Sequence, residues 1–239
     1  MMCQIKTSWC CFLLGSVLFQ LSCGNGNTGN YTDDIGVLNK QLVSASKHNI
    51  RTGDVILRSG RDFTSYRIRE LSDKDKTYSH AGIALVSDTN VFIYHIIPPD
   101  LDEDKGDSTM RMEPLEQFAK PSKCFGFGIV RYKLTEPEID KAMHYLDSLK
   151  DRKVSFDHVF DLTSPDQMYC SEMVDNALRR ATDGRIQLGR KIFTKAQAKR
   201  VANYLHASIE EVMKHAYIPI DNINLNPDCT VIYNYVFLK

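Results

Sequence analysis

The sequence has no excess of charge of either sign. Its 239 residues include 30 Lys and Arg and 30 Asp and Glu, which gives a formal net charge of zero at pH 7. No basic run or stripe is present, whereas proteins that bind nucleic acid ordinarily carry one on the surface that meets the phosphates. We therefore expect no nucleic acid among the partners of this protein.

Cysteine is too sparse for a disulfide-stabilised scaffold. The chain has seven cysteines, and four of them fall within the first 23 residues. The other three are Cys124, Cys170 and Cys229. In an exported protein Cys124 and Cys229 are able to pair, but two separate buried thiols are an equally good interpretation. No closely spaced ligand pair such as CxxC or HExxH occurs, so we expect neither a metal site nor another cofactor.

The sequence also lacks an apolar run long enough to cross a bilayer comfortably. The stretch from Trp9 to Leu21 follows Lys6 and has the length of the apolar core of a secretory signal. Such a segment is removed or serves as an anchor, and it is not part of the folded domain. An ordinary cleaved signal and an uncleaved N-terminal anchor are two interpretations of it.

A third interpretation, which we favour, is a bacterial lipoprotein signal. Leu21-Ser22-Cys23 resembles the cleavage box in which the cysteine is lipidated, although Gln20 replaces the usual aliphatic residue. We expect residues 1–23 to be this signal and residues 24–31, rich in Gly and Asn, to be a flexible tether. The protein would then be held by a lipid on Cys23 in the bacterial cell envelope, at the periplasmic or outer-membrane surface.

Residues 32–239 are expected to form one α+β domain with a helical C-terminal elaboration. Apolar residues at helical spacing predict helices over 33–46, 136–150, 170–181 and 194–215. Runs rich in β-branched and aromatic residues predict strands over 55–57, 81–86, 91–97, 127–132 and 230–238. The connection at 87–90 is typical of a hairpin that makes its two strands antiparallel neighbours. Helices before and after a mostly antiparallel sheet favour this class.

Two segments carry reactive side chains. Cys170 follows a polar, Pro-containing loop and begins a helical pattern, where the free N–H groups and the helix dipole favour a thiolate. His80 stands at the beginning of an apolar strand, and a nearby imidazole would complete a pair of nucleophile and base. A buried core cysteine and a structural histidine are the alternatives.

The order of the motifs resembles that of the YiiX/YebB-like permuted papain-fold cysteine peptidases. These are relatives of the NlpC-type cell-wall hydrolases and of the lecithin retinol acyltransferase group. The matching segments are GDVIL at 53–57, SHAGIA at 79–84, VFIYH at 91–95, PLEQF at 114–118, VSFDHVF at 154–160 and YCSEMV at 169–174. The resemblance implies a circularly permuted papain-like (NlpC-like) fold, in which an antiparallel sheet packs against helices and the histidine precedes the cysteine.

The resemblance also implies roles for individual residues. Cys170 is the expected nucleophile and His80 the general acid and base. His95 falls where the family carries a third residue and is able to orient His80; in an alignment shifted by one residue, Tyr94 takes this place and faces the other way. Independently of the resemblance, the N–H groups of a helix start point at developing negative charge, so the backbone N–H of Cys170 is one expected oxyanion donor. Tyr78, two residues before His80, is a candidate for the second donor, in contact with substrate, and simple packing is the alternative.

The expected function is cleavage of an amide bond through a thioester, with cell-wall or other peptides as the favoured substrates. A lipid-directed thiol hydrolase or acyltransferase is the first alternative, and a non-catalytic surface binding lipoprotein is the second. An apolar tunnel beside Cys170 would favour lipid, whereas a polar cleft with an anchoring Arg or Asp would favour peptide.

Overall fold

A computed structural model of the protein describes residues 30–98, 109–203 and 207–239. The strands in these ranges are β1 (Val55–Gly60), β2 (His80–Ser87), β3 (Asn90–His95), β4 (Arg111–Pro114), β5 (Cys124–Tyr132), β6 (Ser155–Phe156), β7 (Gln167–Met168), β8 (Lys191–Ile192), β9 (Ala216–Tyr217) and β10 (Cys229–Val236). The helices are α1 (Asn30–Ser46), α2 (Phe63–Arg69), α3 (Leu115–Phe118), α4 (Glu136–Asp151), α5 (Cys170–Ala181), α6 (Lys195–Val201), α7 (Ile209–Val212) and α8 (Asp221–Asn224), with a 3₁₀ turn at Lys47–Asn49.

Some of the expectations for the N-terminus fall outside these ranges. The signal over 1–23, with its lipidated Cys23, lies outside the described residues, as does the tether as far as residue 29. The last two residues of the expected tether, Asn30 and Tyr31, already belong to α1. Within the described part of the chain, no helix is long and apolar enough to cross a membrane.

A six-stranded antiparallel sheet in the order β10-β5-β1-β2-β3-β4 forms the centre of the domain. The middle strand β1 pairs with β2 on one side and with β5 on the other, so that Leu57 lies opposite both Ala81 and Gly128. The predicted hairpin joins β2 to β3, with Ser87 opposite Asn90. The predicted α+β class and the antiparallel sheet are therefore confirmed.

Both faces of the sheet are covered because its inner strands carry buried apolar residues that point to each face. Val55 and Leu57 of β1 belong to the larger core, which α4 and α5 cover, whereas Ile56 belongs to the smaller core under α1 and α3. Alternate strand residues point to opposite faces. This alternation decides which side of the sheet each residue of β1, β2 and β3 occupies, including the residues of the site.

The prediction of one long helix over 194–215 is wrong. Helix α6 ends at Val201, and α7 begins only after Ser208, whose extended backbone breaks the helical path. The Ser208 hydroxyl accepts a hydrogen bond from the N–H of Glu211, which is the arrangement of a helix N-cap. The apolar periodicity continues through this break, and for that reason the sequence pattern alone suggested one helix.

The question of a disulfide is also settled. Cys124, Cys170 and Cys229 are all free thiols. Cys124 lies at the beginning of β5, and Cys229 lies at the beginning of β10. Of the two interpretations open from the sequence, the structure has two separate thiols, of which Cys124 is buried and Cys229 is half-buried.

Candidate active site

The nucleophile candidate is held at the first position of a helix. Tyr169 has an extended backbone and Cys170 begins α5, as the sequence predicts. Two bonds fix this helix start to a later segment: the N–H of Ile218 donates to the Tyr169 hydroxyl at 2.8 Å, and the Ser171 hydroxyl donates to the Ile218 carbonyl at 2.7 Å. The sulfur of Cys170 is therefore held in one place by groups on both sides of it.

His80 begins β2, next to the cysteine. The backbone N–H of Ala81, the residue after His80, is close enough to the Cys170 sulfur to lower the pKa of the thiol. His80 and Cys170 also line one cavity, and each is more than nine-tenths buried. The structure thus brings together the two residues that the sequence proposed as nucleophile and base.

His95 lies beside His80 and extends the pair. The Nε2 atom of His80 is 3.0 Å from the Nδ1 atom of His95. Tyr94 faces the opposite side of the sheet, where its hydroxyl donates to Asp147 of α4 at 2.5 Å. Of the two residues weighed for the third position, the structure places His95 against His80 and Tyr94 in the core.

A fourth residue, Glu113, follows in the same line and was missed from the sequence. Its Oε1 lies 3.1 Å from the Nε2 of His95. The N–H is not aimed squarely at this oxygen, but it has no other acceptor among the described residues. Glu113 lies on β4 opposite Ile93 of β3. The only signal in the sequence is an acidic residue just before the Pro114-Leu115 segment, and that does not reveal the register of β4.

Burial decides the charge state of the reacting groups. It raises the pKa of the Cys170 thiol to about 11, against the opposing effect of the N–H groups of Ala81 and Ser171 and of the Arg58 charge. Burial also holds the pKa of His80 well below 6.5, and the charge of Arg58 adds to this effect. The helix start acts in the predicted direction, but desolvation outweighs it. The resting pair is a neutral thiol and a neutral imidazole.

The cavity beside Cys170 is narrow and mostly apolar. Its volume is about 40 Å³. Its apolar walls include Ile68, Leu71, Phe156, Phe160, Tyr217, Ile218 and Ile220. Arg58, a second residue that was missed from the sequence, lies at its polar side with Ser65 and Ser79. In the sequence, Arg58 is the residue after the GDVIL segment at 53–57, and no local signal singles it out.

Tyr78 occupies a different place from the one its candidate role requires. It is not among the cavity-lining residues, and its hydroxyl donates to the side-chain oxygen of Asn234 at 2.5 Å. The hydroxyl lies over Gly128 of β5, where a Cβ on that glycine would come within 2.3 Å of it. The structure does not bring Tyr78 together with Cys170, and its position explains it as a packing residue.

Across the described residues, no group of three or more His, Cys, Asp and Glu side chains is arranged to hold a metal ion. His80, His95 and Glu113 are near neighbours, but they contact one another in series. A metal site needs ligand atoms that converge on one point. His80, His95 and Glu113 therefore do not form a metal site.

A cysteine at a helix start, preceded in the chain by two histidines on neighbouring antiparallel strands, defines a papain-like cysteine hydrolase in permuted order. The chain belongs to the family described as permuted papain-like amidase enzymes, YaeF/YiiX, C92 family, whose family model matches residues 49–221. The expected permuted fold and the expected enzyme class, an amidase-type cysteine hydrolase, are thereby confirmed.

Comparison with solved structures agrees on the fold. The crystal structure of the metalloprotein yiiX from Escherichia coli O157:H7 has a TM-score of 0.62 and 17% sequence identity to this chain. The similarity covers 78% of this chain and 98% of that one. At such low identity, the likeness shows the fold alone. None of the curated proteins matches the chain.

Proposed function

We propose that this protein hydrolyses an amide bond through a thioester on Cys170. The observation that carries the proposal is that Cys170 and His80 line one mostly apolar cavity, while His95 contacts the Nε2 atom of His80 at 3.0 Å. The sulfur lies beside the strand that carries His80, and His95 engages the far nitrogen of that ring. This leaves the Nδ1 atom of His80 as the nitrogen available to the thiol.

The reaction proceeds in two balanced halves. As the Cys170 sulfur attacks the carbonyl carbon, Nδ1 of His80 takes the thiol proton, and the oxyanion accepts a hydrogen bond from the Cys170 N–H. The C–N bond then breaks, and His80 delivers the proton to the leaving amine. In the second half, His80 takes a proton from water as the water oxygen attacks the thioester carbonyl. The C–S bond then breaks, the acid is released, and His80 returns the proton to the Cys170 sulfur.

The proposed substrates are amides in cell-wall or other peptide material, with an apolar group on the acyl side. Phe156, Phe160 and Ile218 are among the residues that wall the cavity beside the nucleophile, and an apolar group gains the most there. A lipid-directed hydrolase or acyltransferase is the second candidate, because the same apolar wall also suits a fatty-acyl chain.

The test is turnover of two amide panels, one of short peptides with apolar residues and one of fatty-acyl amides, followed by mass spectrometry. We expect cleavage by the wild type and by Cys124→Ser, whose thiol lies outside the cavity, and none by Cys170→Ala. Added hydroxylamine should divert part of the product to the hydroxamate, which reports the thioester. Absence of turnover by folded protein on both panels would contradict the proposal and favour the binding lipoprotein.

We further propose that a lipid on Cys23 tethers the enzyme in the bacterial envelope. The support is the sequence alone, since Leu21-Ser22-Cys23 follows an apolar stretch of signal length. Growth of an expressing bacterium with an alkyne-labelled fatty acid tests it. The wild type and Cys11→Ser should incorporate the label, and Cys23→Ser should not. Labelling of Cys23→Ser would overturn the anchor without affecting the proposed chemistry.

A further inference from the structure

Arg58 is a buried cation without an anionic partner. It lies on β1 directly opposite His80 of β2, and only 7% of its surface is exposed. One guanidinium nitrogen donates to the Phe118 carbonyl at 3.0 Å, and the guanidinium lies 5.0 Å from the centre of the Phe118 ring. Its Nε is buried and has no hydrogen-bond partner within the described ranges.

The carboxylates that act on Arg58 do not neutralise its charge. Glu113 and Asp62 act on Arg58 only through longer-range attraction, and no described Asp or Glu forms an ion pair with it. Burying a charge without a partner costs far more free energy than contacts with one aromatic ring and one carbonyl contribute. A buried Arg of this kind is expected at a site that binds an anionic ligand.

Arg58 is the cavity-lining residue best suited to bind an anion. Among the described residues that line the cavity, Arg58 is the one Lys or Arg, and none is acidic. The two nearby hydroxyls are occupied: that of Ser79 accepts from the Gly60 N–H and bonds the Arg58 carbonyl, and that of Ser65 donates to Asp62. A ligand anion in the cavity therefore meets the Arg58 guanidinium.

The position of Arg58 also shows which half of the substrate carries the anion. Paired residues of antiparallel strands project to the same face, so the side chains of Arg58 and His80 lie side by side. In the proposed reaction, His80 delivers its proton to the leaving amine. The group that reaches Arg58 therefore belongs to the amine half, whereas the acyl half lies along the apolar wall.

We propose that Arg58 binds a carboxylate on the amine half of the substrate, so that the enzyme releases an amino acid from an apolar acyl group. This inference rests on the proposed function and names its substrate class: amides between an apolar acid and an amino acid with a free carboxylate. The products are the apolar acid and the free amino acid, with one water consumed.

The first experiment needs no turnover. Iodoacetate and iodoacetamide both alkylate a thiol with loss of iodide, but only iodoacetate carries a carboxylate. A small free thiol reacts faster with the amide reagent, because the thiolate repels the acid. We expect Cys170 to show the reverse preference, by roughly 10- to 100-fold relative to free cysteine, which is the effect of charge-assisted hydrogen bonds in a buried site.

Three variants locate the effect. Arg58→Gln should lose the preference for iodoacetate, and Arg58→Lys should retain it in part. Because the Arg58 charge also lowers the pKa of Cys170, Arg58→Gln should slow both reagents, and the ratio of the two rates is the readout. Arg111→Gln is the matched control, because Arg111 influences the pKa of both His80 and His95 but does not line the cavity. It should keep the preference. If wild-type Cys170 reacts like free cysteine, the proposal is overturned even where the Arg58 variants fail to fold.

The second experiment uses matched substrates, N-decanoyl-alanine and N-decanoyl-alaninamide, with release of decanoate as the readout. The wild type should favour the free acid in kcat/KM by roughly 10- to 100-fold, and Arg58→Gln should abolish that preference. Equal cleavage of both by the wild type overturns the role of Arg58 but leaves the amidase proposal standing. If neither is cleaved, the amidase proposal fails for this class, and the alkylation ratio alone decides the anion site.

Discussion

The Nε2 atom of His80 lies 3.0 Å from the Nδ1 atom of His95, and this contact assigns the protons on both rings. An ionised carboxylate only accepts hydrogen bonds, so the His95 nitrogen that faces Glu113 carries a proton. Nδ1 of His95 is then the acceptor, and Nε2 of His80 is the donor. Nδ1 of His80 is left without a proton, which is the state that a general base for Cys170 requires.

Glu113→Gln tests this proton assignment. Although burial acts against it, the contact with His95 holds the pKa of Glu113 below its ordinary value, so the carboxylate is ionised at neutral pH. The variant removes that charge, and His95 no longer favours one tautomer. We expect kcat to fall by about 10- to 100-fold with little change in KM, since a hydrogen bond to a charged group is worth about 1.5–3 kcal/mol.

Glu116→Gln is the matched control for this change, because Glu116 pairs with Lys47 on the outside of α3. It should leave kcat and its pH profile unaltered. Equal losses in the two variants, or a loss in Glu113→Gln that appears only in KM, would count against a positioning role for Glu113.

The reactivity of Cys170 should rise steeply with pH. Because burial raises the pKa of its thiol to about 11, the thiolate fraction of the folded protein increases about tenfold per pH unit up to that value. Alkylation by iodoacetamide should therefore show no plateau between pH 7 and pH 9. The same protein unfolded in urea should begin to level off above about pH 8.5, the pKa of free cysteine. A plateau below pH 7 in the folded protein would instead reveal a preformed thiolate and imidazolium.

Glu172→Gln should stabilise the protein above neutral pH. Burial, and then the charge of Asp157, raise the pKa of Glu172 from 4.5 to about 8, and one of its oxygens has no partner among the described residues. The folded state holds a proton that the unfolded state releases above pH 4.5. Stability is thus complete below that value and is lost as pH rises towards 8, at up to about 1.4 kcal/mol per unit.

Denaturant unfolding at pH 5 and at pH 8 measures this effect. The variant should gain stability over the wild type at pH 8 and little at pH 5. Replacement of Glu210, an exposed residue of α7, by Gln provides the comparison and should change neither value by more than about 0.5 kcal/mol. A gain that is equal at both pH values would contradict the buried, protonated carboxyl.

Gly82→Ala should disturb both the fold and the site. A Cβ at this position would lie 2.4 Å from a methyl group of Ile93, 2.7 Å from the Tyr94 carbonyl and 3.1 Å from the Cβ of His95. Strand β3 must then move away, and His95 moves with it. We expect a loss of about 1–3 kcal/mol in unfolding free energy, together with lower kcat. Gly36→Ala on α1, with nothing within 4 Å of the added carbon, should be neutral or stabilising.

The sequence predicted the parts of the site that depend on local signals. The hairpin between β2 and β3 fixes a register in which Ile83 lies opposite Tyr94, so His95 necessarily lies close to the beginning of β2. The polar loop followed by apolar periodicity placed the beginning of α5 at Cys170. Both are short-range features, and a chain reveals these before any tertiary contact is known.

The parts that were missed depend on long-range packing. Glu113 reaches His95 only through the pairing of β3 with β4, and the register of these strands has no local signal. Arg58 has a role only because its surroundings bury it, and the raised pKa of Cys170 has the same origin. Burial of a polar group is a property of the assembled domain, and alternation along a strand does not indicate it.

The cavity wall at 217–220 has a consequence for biosynthesis. The strands that carry His80 and His95 leave the ribosome first, α5 with Cys170 follows, and the segment that contacts Tyr169 and closes the cavity comes later still. Strand β10, which completes the edge of the sheet beside β5, follows that segment. A nascent chain therefore holds its base long before its nucleophile and its binding wall. The cavity shared by His80 and Cys170 is therefore complete only after residues 217–220 have been synthesised.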